Sequence, residues 1–399
     1  MLTYADGLAA IAALPALDSE RVALADAGGR TLAEDVRLSG DQPPFDRATM
    51  DGYALRWVDG IDSYRVIATV AAGSTFTGQL APGEAVRIMT GAPCPTGTTV
   101  VAIEMTDRGR EQVVLSDPAA VKPGRNIAWR GEDGRRGALI VSAGTRLSPV
   151  LLSACAMAGA TSVMVAASPR LALVTTGDEV GDTGEAGIHD SNGPFLSAFA
   201  AVLGLPARRT HARDADDVLR QSLRLATDSA EVVVTTGGVS AGDRDLVPAI
   251  ANELGFTTVF HHLAMQPGKP VLLARRGERQ FLVGLPGNPV SVVATAHLVL
   301  WPLLRRLQGA DPAPWLELPV TVPWHHRGNR QLFLPARLVA GGVEPLSWNG
   351  SGDLLAAASA DALIDLPPGS ELTAGALVRV LPYVGSQAGE HGTLPSRTR

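Results

Sequence analysis

The rhythm of apolar and polar positions changes several times along the chain. Residues 3–14 read as an opening helix. From about 38 to 136 the helical signal fades, and short apolar alternations, such as 64–70 and 84–89, are cut by Gly and Pro turns. That texture predicts a β-rich module inserted early in the chain. The longest uncharged stretch lies between Arg146 and Arg170. Within it Ser148-Pro149 reads as an N-cap and first turn, Gly159 as a stop, and 161–165 as a short strand. The stretch therefore predicts a buried helix plus a strand, with no membrane span.

From Pro169 the pattern becomes strand–helix alternation. Residues 171–175 (LALVT) and 231–235 (EVVVT) read as strands buried on both faces. Helices are predicted from Asn192 to Gly204, over 214–227 with acidic residues in the first turn, and over 245–254 up to Gly255. A hairpin follows at 271–283, then a long helix over 289–307. This alternation predicts a doubly wound α/β domain. Short alternating segments from 310 to about 382 predict a small β-barrel or sandwich. The polar, Gly/Ser/Thr-rich tail from 385 predicts disorder. The fold class expected is multidomain α/β.

Composition narrows the function. With 399 residues, 46% hydrophobic and 19% charged, the chain has material for two to four domains. Its 34 Lys and Arg against 40 Asp and Glu give a net charge of −6, which disfavours nucleic acid as a partner. Two distant cysteines, Cys94 and Cys155, give no zinc or disulfide framework, and a cytoplasmic setting is expected. The N-terminal segment lacks the basic and apolar regions of a signal peptide, so none is expected.

Candidate chemistry gathers at the predicted strand ends. VTTGDEV (174–180) and VTTGGVS (234–240) each close a parallel strand, where open α/β sheets bind ligands. Thr236, Gly237, Gly238 and Ser240 form a loop whose N–H groups and hydroxyls suit a phosphate. Gly287, Asn288 and Pro289 open the long helix in the same way, although Asn288 could simply cap it. Lys269 sits in the rigid turn Pro267-Gly268-Lys269-Pro270, which suits an oxyanion. Carboxylates at 178, 179, 190, 214, 243 and 245 fall at the same loop tips, and such acids hold a divalent cation or cap helices. In the inserted module Asp51 and Thr90 could share a pocket. The pairs His261-His262 and His325-His326 read as ordinary strand histidines, because strand neighbours point to opposite faces.

Taken in order, PPFDRATMDGYA, RIMTGAPCPTGTTVVAIE, PGRNIAWRGED, TGDEV, DSN, TTGGVSAGDRD, PGKP and LPGNPVS resemble the molybdopterin molybdenumtransferase family. These are the bacterial molybdenum insertases, similar also to the C-terminal domain of gephyrin. The match runs from the N-terminus to about Pro382. The resemblance implies an α/β molybdopterin-binding domain (1–18 and 169–309) and a linking domain (19–38 and 137–168). It also implies a β-rich insert (39–136), a C-terminal barrel (310–383) and a tail (384–399). It further implies a homodimer in which one subunit's insert faces the other's α/β domain.

The implied reaction takes adenylylated molybdopterin and molybdate, places molybdenum on the dithiolene and releases AMP. The resemblance gives Asp51, Asp214, Asp245 and His262 catalytic places. It gives Thr90, Glu179, Thr236, Gly237, Gly238, Ser240, Gly287 and Asn288 substrate contacts, and assigns molybdate to Lys269, Pro270, Ser291, Arg330 and Ser351. Glu179, Asp243 and Asp245 would hold Mg²⁺. Molybdopterin adenylyltransferase and molybdoenzyme maturation proteins are implied partners.

Three departures from the family pattern stand out. His262 and Gln266 stand where it often has lysines, Pro335 where it has a second arginine, and Gly350-Ser351-Gly352-Asp353 where it has Gly-Ser-His. Two other readings fit these residues: a non-catalytic molybdopterin-binding scaffold, and an enzyme of the adenylyltransferase type.

Overall fold

A computed structural model describes residues 1–177, 188–213, 215–239 and 246–386. Its centre is a six-stranded sheet with strands in the order Ala207–Ala212, Leu171–Thr176, Val232–Thr236, Gln280–Leu285, Leu272–Arg276, Thr257–His261. The first four run parallel and the last two are antiparallel to their neighbours. Alternate side chains of the central strands feed two cores. Leu171, Leu173, Val232 and Val234 pack on one face, Ala172, Val174 and Val233 on the other. Burial of both faces explains why these strands are uncharged runs.

Two strands of this sheet have no such signature. Ala207–Ala212 (ARRTHA) is an edge strand exposed at five of its six residues, so it carries no apolar run. Thr257–His261 forms the opposite edge. The helices over Asp216–Ser229 and Val247–Glu253 each begin two residues later than the acidic positions predict.

The helix from Pro289 to Leu307 is continuous but not uniform. An α segment, Pro289–Thr295, passes into a π turn, Ala296–Leu300, and then into α again, Trp301–Leu307. By length and hydropathy it could cross a membrane, but 83% of its apolar window is buried inside the protein. Against it lies the opening helix, Tyr4–Ala12, whose Thr3 and Asp6 form a reciprocal capping box.

The early insert is a five-stranded sheet in the order Thr99–Ala102, Gly52–Leu55, Glu84–Ile88, Ser63–Val70, Gln112–Val114, with its own two cores. A separate small core joins the strand pairs Ser19–Ala23 with Ser162–Ala166 and Val36–Arg37 with Leu139–Val141, under the helix Pro149–Met157. Cys155 is buried there, Cys94 belongs to the insert, and both are free thiols.

The C-terminal sheet runs Met265–Gln266, Gln331–Val339, Ala362–Leu366, Leu377–Pro382, Leu316–Pro319. Its first strand comes from the α/β unit and pairs in parallel with Gln331 and Leu332. This splice bolts the Pro267–Pro270 turn to the C-terminal sheet. Residues 384–386, assigned to the tail, are held in place: Val384 N–H donates to His297 Nε2 (2.9 Å) and Ser386 Oγ to the carbonyl of Asp361 (3.0 Å).

Candidate active site

Three loops meet at the carboxyl ends of the parallel strands. Gly237 and Gly238 both have left-handed backbones, φ 88° and 64°. A Cβ on Gly237 would stand 2.7 Å from Thr176 Oγ1, and one on Gly238 3.0 Å from Val247 Cγ2, so the turn is built for glycine. Thr176 Oγ1 donates to the carbonyl of Thr236 (2.8 Å), and Gly237 N–H to that of Leu285 (3.0 Å). Gly287 packs directly over Gly237, its ideal Cβ position lying 3.8 Å from the Gly237 Cα. Asn192, in the DSN segment, donates to the Gly287 carbonyl (2.8 Å). The strand-end loops are thus one hydrogen-bonded unit.

The other side of the Pro286–Asn288 turn lines a cleft of about 440 Å³. Its walls include Gln266, Lys269, Pro270, Asn288, Ser291, Arg330 and Ser351, with Trp348 and Met265. Among the described residues none that lines it is acidic. Among the described residues, neither Lys269 Nζ nor the Arg330 guanidinium has a hydrogen-bond or ion-pair partner. Asn288 does not cap its helix. Its side-chain amide donates to Ser351 Oγ (2.9 Å) instead, which leaves the Ser351 hydroxyl hydrogen free to point into the cleft. Two unpaired cations and two hydroxyls, with no carboxylate, suit a small divalent oxyanion.

The cleft brings together the five residues that the resemblance assigns to molybdate: Lys269, Pro270, Ser291, Arg330 and Ser351. It also includes Gln266 but not His262. His262 leaves its strand with a left-handed backbone, φ 68°, so its ring stacks on that of His261 at 3.9 Å. The expectation of opposite faces fails here because the strand ends at His261. His261 Nε2 in turn meets the carbonyl of Val239 at 3.0 Å, so this pair buttresses the TTGG loop.

Asp51 and Thr90 do meet. The backbone N–H and the hydroxyl of Thr90 both donate to Asp51 Oδ1 at 2.7 Å. These two bonds, with the nearby Arg87 charge, hold the exposed Asp51 carboxyl below the usual carboxylate range. Gly52 is forced by its setting: a Cβ would fall 1.9 Å from the carbonyl oxygen of Val101. Among the described residues, no hydrogen bond joins the insert to the α/β unit. Among the described residues of one chain, no hydrogen bond links Asp51 to the cleft.

Glu179, Asp214, Ser240, Asp243 and Asp245 lie outside the described residues. Among the described residues no group of three or more His, Cys, Asp or Glu stands together as a metal site. Asp190 is bound locally, accepting from Gly193 N–H (2.8 Å) near Arg209 (3.8 Å). Sequence reading missed Trp348 and Met265 as cleft residues. Trp348 had one faint signal, its position three residues before Ser351; Met265 had none beyond preceding the Pro267 turn.

Three family models match the chain. One described as the MoeA N-terminal region (domain I and II) covers residues 2–159. A probable molybdopterin binding domain covers 172–306, and the MoeA C-terminal region (domain IV) covers 317–383. A protein of Synechococcus elongatus named molybdopterin molybdenumtransferase is 35% identical over 332 residues, spanning 79% of this chain and 82% of its own. One of the same name from Staphylococcus aureus is 32% identical over 369 residues, 88% of this chain and 87% of its own. The solved molybdopterin biosynthesis MoeA protein of Pyrococcus horikoshii shares the fold with a TM-score of 0.79 and 29% identity, covering 97% of this chain and all of that one.

Proposed function

We propose a site chemistry from one premise: this chain belongs to the molybdopterin molybdenumtransferase (MoeA) family. It acts in molybdenum cofactor biosynthesis as an enzyme that inserts molybdenum into molybdopterin. In our reading the substrates are adenylylated molybdopterin and molybdate. The two dithiolene sulfurs replace two molybdate oxygens, which leave as water on protonation; one water equivalent is consumed in cleaving the phosphoanhydride, which leaves a phosphate on the cofactor and frees AMP.

The observation that carries this reading is the cleft in which Lys269, Arg330, Ser291 and Ser351 converge with no carboxylate among the described lining residues. Molybdate binds there. Its double negative charge meets two cations that have no partner among the described residues, and the serine hydroxyls supply donors. The Gly237-Gly238 and Gly287 loops hold the phosphates of the adenylylated substrate with backbone N–H groups. Because Gly287 packs on Gly237 while its neighbours Pro286 and Asn288 line the cleft, the two ligands lie on opposite sides of one turn. That proximity lets one event serve both.

The chain works as a homodimer, with Asp51 and Thr90 from one subunit's insert completing the site on the other's α/β unit. Support comes from the insert's separate cores and from an Asp51 that is exposed yet held ionised. The division into domains at 1–18 with 169–309, 19–38 with 137–168, 39–136 and 310–383 belongs to this proposal. Glu179, Asp243 and Asp245 would hold Mg²⁺. Their segments follow Thr176 and Thr236, which end adjacent hydrogen-bonded strands, and carboxylate oxygens suit a hard divalent cation. Bound there, Mg²⁺ supplies charge neutralisation at the phosphoanhydride. Two free cysteines support a cytoplasmic site of action. Molybdopterin adenylyltransferase would supply the adenylylated substrate, and molybdoenzyme maturation proteins would take the product.

The test is AMP release from adenylylated molybdopterin, with and without molybdate, in wild type and Asp51→Ala. Molybdate-stimulated release that the variant loses supports the reading. Release indifferent to molybdate, or unchanged in Asp51→Ala, overturns it.

A further inference from the structure

We propose that His326 is a positioning residue for the oxyanion cleft, acting through Arg330. The inference rests on the reading of that cleft as the molybdate site. Nothing in the family pattern assigns this histidine, and by sequence it reads as half of an ordinary strand pair. Its neighbour His325 is exposed, with Nδ1 3.1 Å from a carboxylate oxygen of Glu371, whereas His326 is buried, 6% exposed.

His326 sits inside the turn that delivers Arg330. The turn leaves the strand Trp324–His325 and enters the strand Gln331–Val339. His326 Nε2 lies 2.7 Å from the carbonyl oxygen of Arg330. A carbonyl only accepts, so Nε2 carries the hydrogen and Nδ1 is the bare nitrogen. Nδ1 faces the backbone N–H of Gly328, 3.4 Å away, which donates to it. One neutral tautomer therefore satisfies both contacts, and the other would set two acceptors face to face across the Arg330 carbonyl.

The ring also sets the turn's size. A Cβ on Gly328 would stand 2.5 Å from His326 Cε1, so the backbone is wrapped closely on the imidazole. The turn is pinned from outside as well. His326 N–H donates to the Ser370 carbonyl (2.9 Å) and Gly369 N–H to that of Gly328 (3.3 Å).

The consequence falls on the two cations. Immediately after Arg330, Gln331 pairs in parallel register with Met265, three residues before Gly268 and four before Lys269. The Arg330 backbone is thus held by the His326 ring at its carbonyl and, through Gln331, by the strand Met265–Gln266 that leads into the Lys269 turn. The guanidinium has no protein partner of its own among the described residues, so its position follows from where the turn holds the Arg330 backbone, and the His326 ring is the side chain that bonds that residue's carbonyl. Loss of the Nε2 donor frees the Arg330 carbonyl and lets the turn relax away from the cleft.

The experiment measures AMP release against molybdate concentration in the full-length enzyme for His326→Phe, His326→Gln, Arg330→Ala and the double variant His326→Phe/Arg330→Ala. Phe keeps the ring volume and removes the donor, while Gln places an amide N–H near the position of Nε2. For His326→Phe, the molybdate concentration at half-maximal rate rises about tenfold. The KM for adenylylated molybdopterin and the thermal midpoint stay close to wild type. His326→Gln recovers most of the loss. The double variant is no worse than Arg330→Ala alone, since both changes act on one group. If Arg330→Ala raises the molybdate requirement and His326→Phe does not, the positioning role is wrong and the cleft reading stands. A His326→Phe effect that spreads equally to both substrates and to thermal stability also overturns it, as a merely structural role. If Arg330→Ala leaves molybdate dependence untouched, both the cleft reading and this inference fall.

Discussion

Thr90 donates twice to a single oxygen of Asp51, through its backbone N–H and its hydroxyl, both at 2.7 Å. The pair joins two chain segments 39 residues apart and presents a fully ionised carboxylate on an exposed face. The backbone bond survives substitution of the side chain, while the hydroxyl bond does not. Thr90→Ala should therefore slow AMP release by roughly tenfold, with Thr90→Ser restoring it. The pH dependence gives the sign. With a donor removed, the Asp51 pKa rises toward its ordinary value, so the acid limb of the rate profile moves to higher pH. A pH–rate profile of Thr90→Ala that coincides with wild type would rule out this role for the hydroxyl.

The strands buried on both faces, 171–176 and 232–236, were legible because burial on both sides demands uncharged β-type runs. The edge strand Ala207–Ala212 was not, because its outer side faces solvent and its sequence is free to be polar. The cleft was half legible. Lys269 stands in a turn whose composition announces an anion, and Ser291, Arg330 and Ser351 were reached only through resemblance. Their convergence depends on the parallel pairing of Met265 with Gln331, a contact 66 residues apart that no local pattern encodes. His261 and His262 misled for the opposite reason: a single left-handed residue, His262, ends the strand and cancels the alternation rule.

Separation of the Asp51 face from the cleft within one chain makes complementation a direct test of the shared site. Asp51→Ala damages the insert, Lys269→Ala the cleft. Each variant alone should be nearly inactive. In a mixed dimer, one of the two sites draws on both intact surfaces. Co-expressed and randomly assorted, the two variants should recover roughly a quarter of wild-type AMP release. Isolated heterodimers with no more activity than either parent would show that each chain builds its site alone.

Gly52 bears on the same face. Its backbone approaches the Val101 carbonyl so closely that a Cβ would lie 1.9 Å from the oxygen. Gly52→Ala forces apart the strands Gly52–Leu55 and Thr99–Ala102, which pair along their whole length. Overpacking of this kind costs about 3 kcal/mol. The insert should unfold at lower temperature, and Asp51, the preceding residue, should lose its alignment with Thr90. Calorimetry should show a lowered insert transition while the α/β unit's transition is unchanged. An unaltered scan would show that the sheet absorbs the methyl group without strain.

His297 supplies the last prediction, on stability against pH. The π turn places it wholly within the core, against Phe199, Tyr383 and Trp301. Nδ1–H donates to the Val293 carbonyl (2.8 Å), and Nε2 accepts from Val384 N–H (2.9 Å). Burial pushes its pKa down from 6.5 to about 4. In the unfolded chain the ring takes up a proton near pH 6.5, whereas in the folded protein it resists until about pH 4. The unfolded state therefore binds more protons in that window, and folding stability falls as pH drops through it. The difference is worth about 3 kcal/mol across the whole interval, with roughly 2 kcal/mol lost by pH 5. Protonation would also set a second N–H against that of Val384, releasing the segment that docks residues 384–386. His297→Gln, which removes the titrating group, should be less stable at neutral pH but should lose that slope. Urea midpoints measured at pH 7.5 and pH 5 decide it: equal acid sensitivity in wild type and variant would place the titration elsewhere.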